Sequence, residues 1–328
     1  MSSIAKVLIH ASQFPDAVRR DLLESLRNRQ VNHKFHYDSL KQTQKWLALH
    51  RAYSPSRNDP RCGDSYDAAF AATVAQLAGP TTLHVGLGCG GGQKDARLLR
   101  QLAGHRRQVS YVPCDVSTAM VLVARDAALT VLPERNVFPL VWDLMTTEDL
   151  QAVLDQLHPE PMPRVMTFFG MIPNFEPAQI LPKLASLVRM EDTLLFSANL
   201  APGDDYAAGV ERILPQYDNA LTRDWLMTFL SDLGVEHADG QLGFRIREHP
   251  PGMGLLRVEA NFYFTNSRSI KLDDERFEFR AGESIGLFFS YRYTPELARQ
   301  WLHRYDLVVR DQWVAPSGEE GVFLCRRS

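Results

Sequence analysis

Only four cysteines occur in 328 residues, at 62, 89, 114 and 325, and no two form a Cys-x-x-Cys pair. That excludes a disulfide framework and a cysteine-based zinc site, and it suits a reducing cytoplasm. The ten histidines include no His-x-x-x-His or His-Glu-x-x-His spacing, so no metal is implied. No apolar run approaches the length of about 18 residues that a bilayer-spanning helix needs. The N-terminus mixes charge early, at Lys6, Asp16, Arg19 and Arg20, and carries no signal-peptide pattern. Net charge is only −3, without a long basic run, so neither nucleic acid nor a membrane surface is an expected partner. A phosphate-binding Gly-x-x-x-x-Gly-Lys-Ser/Thr loop is missing, because Gln93 precedes Lys94 and Asp95 follows it. No Ser-His-Asp or Cys-His arrangement stands out. The expected partner is a small molecule, and the expected state is a monomer or weak homo-oligomer.

What the chain does have is a hydrophobic fraction of 45%, enough for a full core, and one dense glycine loop. The run Leu83-His84-Val85 leads into Gly86-Leu87-Gly88-Cys89-Gly90-Gly91-Gly92-Gln93-Lys94, then a helical pattern through Ala96, Leu98, Leu99 and Leu102. A second apolar run, Val109 to Pro113, ends at Asp115. Glycines at a strand-to-helix turn let backbone N–H groups approach a nucleotide-like ligand. An acidic residue at the end of the next strand is where a doubly wound sheet holds a ribose. Extra glycines make the formal Gly-x-Gly-x-x-Gly match weak, so the pair indicates a nucleoside cofactor without choosing one.

Around this centre, strands expected at 83–86, 109–113, 138–142, 164–169 and 193–198 alternate with helices at 93–103, 117–128, 147–157 and 177–188. Alternation at this pitch predicts an α/β fold with a doubly wound, Rossmann-like parallel sheet. Helices are expected upstream at 14–29, 37–57 and 65–78. After about residue 200 the alternation stops. Residues 206–233 read as helical with a break at Pro215, followed by strand-like runs at 243–248, 255–265 and 269–279. Runs at 288–293, 307–314 and 321–326, around a helix at 294–304, read as closing strands. The expected division is 1–60 as N-terminal helices of a substrate domain, 61–200 as the cofactor-binding domain, 201–282 as an inserted α+β substrate domain, and 283–328 as closing strands of the cofactor-binding domain.

Nine motifs in order resemble the histidine N-alpha-methyltransferases of ergothioneine biosynthesis, which use S-adenosylmethionine. They are Lys34-Phe35-His36-Tyr37-Asp38, Tyr53-Ser54-Pro55-Ser56-Arg57, Gly88 to Lys94, Val112 to Ser117, Trp142-Asp143-Leu144, Phe168 to Phe175, Gln216-Tyr217-Asp218, Arg257-Val258-Glu259, and Gly282-Glu283 through Ser290-Tyr291-Arg292-Tyr293. The resemblance runs from about Lys34 to the C-terminus and marks a divergent member. It implies a doubly wound methyltransferase domain with a smaller substrate domain, and S-adenosylmethionine as cofactor. Gly88, Gly90 and the rest of the loop would line its methionine part, with Lys94 near its carboxylate. Asp115 would accept from the ribose hydroxyls, and Asp143 and Leu144 would meet the adenine. On the substrate side it implies Asn174 and Tyr217 as holders of an amino acid, with Tyr37, Tyr53 and Ser290 nearby and Gly170, Ala260 and Phe288 lining the pocket. His36 reads as a surface histidine before it reads as a proton shuttle.

Three departures matter. The family places a glutamate two residues before the closing-strand serine, where it holds the imidazole ring; here that position is Phe288. Ala260 stands where a larger methionine is expected. Gly86 stands where the family has a glutamate before the glycine loop. An imidazole N–H left unpaired beside Phe288 costs about 1–3 kcal/mol. The expected activity is therefore S-adenosylmethionine-dependent N-methylation of a small-molecule amine in secondary metabolism. The acceptor is an amino acid or amino-acid-derived metabolite with an aromatic or apolar side chain, not histidine. Non-methylating chemistry on the same cofactor, such as cyclisation or elimination, and a non-catalytic scaffold are the alternatives.

Overall fold

A computed structural model describes residues 4–54, 59–105, 107–158 and 162–328. Residues 55–57 of the expected Tyr53-to-Arg57 motif lie outside them. In chain order the helices are α1 (Pro15–Arg27), α2 (Leu40–Tyr53), α3 (Pro60–Gln76), α4 (Gln93–Gly104), α5 (Thr118–Ala128), α6 (Leu150–Leu157), α7 (Pro177–Leu187), α8 (Tyr206–Ile213), α9 (Ala220–Asp232) and α10 (Pro295–His303). The strands are β1 (Leu8–Ile9), β2 (Thr81–Leu87), β3 (Gln108–Asp115), β4 (Leu140–Val141), β5 (Arg164–Phe169), β6 (Thr193–Asn199), β7 (Gly240–Glu248), β8 (Leu256–Phe264), β9 (Arg268–Leu272), β10 (Glu275–Phe279), β11 (Ser284–Arg292), β12 (Leu307–Val314) and β13 (Glu320–Arg327).

Two compact units result. The first takes the described residues of 1–13, 55–200 and 293–328. Its eight-stranded sheet runs β1-β4-β3-β2-β5-β6-β13-β12. All pairs are parallel up to β6, and β13 pairs antiparallel with both β6 and β12. The strands from β2 to β6 are buried along most of their length, as a sheet covered on both faces requires. Tyr66, Phe70, Leu98, Leu99, Val165 and Leu195 belong to one core cluster. The chain steps from β2 to β3 on one side, then returns to place β5 on the other. Order reverses at β2/β5, and ligands bind outside the carboxyl ends of the strands at such a point.

The second unit takes 14–54 and 201–292. Its antiparallel sheet runs β11-β8-β7, and β9 and β10 form a separate hairpin. Phe35, Trp225, Phe229, Phe262, Ile285 and Phe288 share its core. The outer edge of β11 is covered by the stretch after α1: Val31 N–H donates to Gly286 O (2.8 Å), and Gly286 N–H to Arg29 O (2.9 Å). Covering an edge strand in this way blocks stray pairing. A register shift between Gly286 and Phe288 inserts one extra residue in β11. Ile285 stands opposite Phe262 and Phe288 opposite Ala260. The bulge thus switches the alternation, so that Phe288, Ser290 and Arg292 share one face.

Several expectations are corrected here. The run from 283 was expected to close the methyltransferase sheet, but β11 pairs with β8 in the smaller sheet. Only β12 and β13 join the large one. The first residues were expected among substrate-domain helices, yet β1 pairs with β4 in the large sheet. The run 269–279 is a hairpin whose turn passes through Asp273 at φ 53°. Pro182 lies inside α7 without ending it.

Gly92 precedes α4 at φ 70°, and a Cβ there would lie 2.6 Å from Ala124 Cα. Backbone cannot yield as a flexible side chain can. Gly92→Ala is expected to cost about 1–3 kcal/mol, read as a lower urea midpoint; an unchanged midpoint would contradict this packing.

Candidate functional site

In the first unit the site begins with the loop between β2 and α4. Gly88 (φ 64°) and Gly90 (φ 49°) take left-handed conformations that side chains resist. Cys89 N–H donates to Cys114 O and Gly92 N–H to Cys89 O, both at 2.9 Å. Gly90 N–H donates to Asp115 Oδ2 (3.1 Å) and Ser117 N–H to Asp115 Oδ1 (3.0 Å). Asp115 therefore bridges the glycine loop and the start of α5, where Ser117 Oγ caps the helix by accepting from Met120 N–H. Burial pushes the Asp115 carboxyl up to about 6, against the opposing pull of the Ser117, Gly90 and Val116 backbone N–H groups. No cation pairs with it among the described residues.

Lys94 was expected to anchor a ligand carboxylate. Its ammonium is already engaged, donating to Tyr66 Oη (2.6 Å) and Glu320 Oε1 (2.9 Å). Tyr66 also contacts Glu320 and reaches Ser197 Oγ (2.9 Å), which accepts from Gly170 N–H (2.9 Å). One network so joins α3, α4, β6, β13 and the Gly170 turn. Burial raises the Glu320 pKa, but the Lys94 charge and hydrogen bonds from Tyr66, Lys94 and Cys62 outweigh it and hold the carboxyl below its ordinary range. An ammonium has three donors, so pairing with Glu320 still permits a contact with a ligand.

Asp143 and Leu144 are buried just after β4. Asp143 Oδ1 accepts from Met145 N–H (2.9 Å), a local turn, while its own N–H donates to Ser12 Oγ (3.2 Å). Asn174 is half-buried and ends a 3-10 turn, Ile172–Asn174, after β5. Gly170 sits at φ 66° with open space where a Cβ would point.

In the second unit, Tyr217 and Ser290 come together, Oη to Oγ at 2.8 Å. Arg292 Nη2 (2.9 Å) and Nε (3.2 Å) donate to the Tyr217 oxygen. Either hydroxyl can donate in the Tyr217–Ser290 bond. Phe288 lies in an aromatic cluster, with ring centroids 5.0 Å from His33, 5.7 Å from Trp225 and 6.3 Å from Tyr217. Tyr37 packs at 5.6 Å from Trp225 and 5.9 Å from Trp46. Ala260 faces Phe288 across the ladder. Tyr53, the last residue of α2, is 42% exposed and does not join the cluster. His36, expected at the surface, is fully buried and donates from Nε2 to Leu287 O (2.6 Å). Burial lowers its pKa to about 4, against the stabilising bond to Leu287, so it stays neutral near pH 7.

Sequence reasoning missed Tyr66, Asp95, Glu320, Arg292, Trp225 and His33 as parts of these sites. Arg292 alone had a signal, since it lies in the closing-strand motif; the others are joined only by folding.

A parallel sheet with a left-handed glycine loop at its switch point, and a buried carboxylate ending the next strand, defines an α/β enzyme that binds a nucleoside cofactor. A sequence model of the family described as "Histidine-specific methyltransferase, SAM-dependent" matches residues 18–327, and the chain belongs to that family. It is an S-adenosylmethionine-dependent methyltransferase. Comparison with curated proteins gave no match. Among solved structures it is similar to the CcbJ methyltransferase from Streptomyces caelestis, with 11% identity over 80% of this chain and 94% of that one and a TM-score of 0.40. CalS10, an amino pentose methyltransferase from Micromonospora echinaspora solved with its cofactor, has 15% identity over 86% and 96% and a TM-score of 0.38. RosA, a riboflavin-type dimethyltransferase from Streptomyces davawensis, has 16% identity over 96% and 70% and a TM-score of 0.38.

Removing Lys94 leaves the Glu320 charge buried and unpaired. Lys94→Met is expected to cost about 3–5 kcal/mol, and Lys94→Met/Glu320→Gln to recover much of it, by urea unfolding at neutral pH. A carboxyl held below its unfolded value stabilises above that value and loses the contribution as pH falls. The gap between wild type and double variant should close as pH drops below 4.5; a gap that widens there would contradict the pairing.

Proposed function

We propose that this enzyme methylates the amino group of an amino acid, or a metabolite derived from one, whose side chain is aromatic or apolar, and that histidine is a poor substrate. The observation that carries the reading is Phe288 inside the cluster of Trp225, Tyr217 and His33. A ring there offers no acceptor for an imidazole N–H. The neighbouring carboxylate, Glu259, is no substitute. Its Oε1 accepts from Arg257 Nε (2.8 Å) and Nη2 (2.7 Å), and its Oε2 from Arg245 Nε (2.9 Å) and Nη2 (2.8 Å). Phe289, its cross-strand partner, points away from the face of Phe288.

The first unit suits the cofactor. Asp115 is buried among neutral backbone donors, and a pair of ribose hydroxyls is the kind of neutral donor that a buried carboxylate without a cation accepts. Gly88 and Gly90 would hold the methionine part, Lys94 would face its carboxylate, and Asp143 and Leu144 would meet the adenine. When bound, S-adenosylmethionine supplies a methyl group on a sulfonium leaving group, so the protein needs no nucleophile of its own. The chain's residues then have two tasks: to orient the acceptor amine and to keep it neutral. Tyr217, steadied by Arg292 and Ser290, presents a fixed hydroxyl for the amino acid. The aromatic cluster excludes water and disfavours charge, which favours the free amine.

Calorimetric titration with S-adenosylhomocysteine, then with the standard amino acids in its presence, tests this reading. An aromatic amino acid should bind more tightly than histidine; tighter binding of histidine would overturn it. Phe288→Glu should shift the kcat/KM ratio of histidine to an aromatic amino acid in favour of histidine by about 5- to 150-fold, the equivalent of about 1–3 kcal/mol.

The cofactor placement predicts its own pH dependence. Asp115 accepts hydroxyl donors best when ionised, and its pKa is about 6. Affinity for S-adenosylhomocysteine should therefore rise from about pH 5 to about pH 7 and level off above. Asp115→Asn should remove that rise and weaken binding by about 5- to 150-fold. A rise that persists in Asp115→Asn would place the titrating group elsewhere.

A further inference from the structure

Beneath the glycine loop lies a second carboxylate that the contacts above do not use. Asp95, in the first turn of α4, is 3% exposed. Its Oδ2 accepts from Tyr111 Oη (2.8 Å) and its Oδ1 from Thr167 Oγ1 (2.7 Å), with His84 Nε2 3.2 Å from Oδ1. Tyr111, His84 and Thr167 belong to β3, β2 and β5, three neighbouring strands that include the switch point. Burial and the Asp95 charge push the Tyr111 pKa well above its ordinary value, so Tyr111 remains a phenol donor.

The same carboxylate explains Gly86. A Cβ on Gly86 would lie 2.6 Å from Asp95 Oδ2 and 3.0 Å from Tyr111 Oη. Gly86 has no need of left-handed backbone, since it lies inside β2 and is absent from the positive-φ residues. What position 86 lacks is space, and Asp95 fills it. The family resemblance places a glutamate at 86, and here the negative charge in that volume comes from the start of the helix instead.

We propose that Asp95 is the positioning residue of the cofactor loop, supplying from α4 the carboxylate that a residue-86 side chain would otherwise supply from β2. Its bonds to Tyr111 and Thr167 pin the first turn of α4 to the interior of β3 and β5, which fixes the end of the loop that leads into the helix. Its charge, in a poorly screened interior, favours the ammonium group that both the cofactor and S-adenosylhomocysteine would bring to the loop. A side chain at 86 would have to displace the Asp95 carboxylate from its bonds, so the two positions compete for one volume. The proposal rests on the cofactor lying at the glycine loop, as proposed above.

The test is a mutant cycle read by calorimetric binding of S-adenosylhomocysteine and by thermal melting of the ligand-free protein. Asp95→Ala should weaken binding at least tenfold. Gly86→Glu alone should lower the melting temperature, because two carboxylates then compete for one volume. Gly86→Glu/Asp95→Ala should melt above Gly86→Glu and bind at least fivefold more tightly than Asp95→Ala. A role of Asp95 in folding alone predicts no such recovery of binding. A double variant that binds no better than Asp95→Ala, or an Asp95→Ala that binds as wild type does, overturns the proposal. Should the double variant not fold, Asp95→Asn decides: same shape without charge, a tenfold loss supports the proposal and wild-type affinity overturns it. The Asp115→Asn measurement separates the layers. If Asp115→Asn binds normally, the cofactor placement fails and this proposal with it; if Asp115→Asn fails to bind while Asp95 variants bind normally, only the role of Asp95 falls.

Discussion

The first turn of α4 is held by two neighbouring charges that point opposite ways. Lys94 reaches Glu320 and Tyr66, while Asp95 reaches Tyr111 and Thr167. Between them these bonds reach α3, β3, β5 and β13. An acidic side chain suits a helix N-terminus, where backbone N–H groups carry partial positive charge; a lysine does not. Lys94 is tolerated there because a buried carboxylate meets it. The glycine loop ends one residue before this turn, so its left-handed residues are fixed at one end by ion pairing and at the other by β2. Asp115 then ties the middle of the loop to β3. A loop rich in glycine would otherwise lose much chain entropy on ordering, and these contacts offset that cost before any ligand arrives.

The second unit depends on a different constraint. One extra residue in β11 turns Phe288, Ser290 and Arg292 toward the face of Ala260. The stretch from Gln30 to His36 then runs beside that strand, with Val31 and His36 bonded to its carbonyls. Trp225 Nε1 donates to His36 O (2.8 Å), which locks α9 to the same stretch. The aromatic cluster is thus assembled from three segments distant in sequence. Burial keeps both of its histidines neutral; for His33, the nearby His36 and Arg257 act in the same direction.

How much of this was legible in the sequence follows from the range of each interaction. The β2–loop–α4–β3 order and Asp115 are local: an apolar run, glycines, a helical period and an acid read in succession. The pairing of Lys94 with Glu320 was not legible, because Glu320 lies 226 residues away. Asp95 read only as the residue that breaks a phosphate-loop pattern, since its partners sit on three strands. His36 read as a surface residue, yet it and the nearby Lys34, which pairs with Asp21, are both buried. The strand at β11 was visible, but its sheet was not, because an apolar alternation looks the same whichever neighbour it pairs with. The hairpin at 268–279 was hidden for the opposite reason: its turn uses Asp273 in a left-handed conformation rather than a glycine.

The two sets of contacts share no residue, and that separation has a consequence for specificity. The charges and hydrogen bonds around the glycine loop lie within the first unit, and the rings around Phe288 lie within the second. A change at position 288 alters volume and polarity in the aromatic cluster of the second unit. A change at position 86 or 95 alters the loop of the first. Substitution of an acid by a ring at 288 is costly only to a substrate that needs the acid, because a buried donor left unpaired loses more than a neutral contact gains. On the placements proposed above, the residues that would hold the methyl donor are not those that would choose its acceptor. Family membership consequently specifies the donor of the methyl group more tightly than its acceptor.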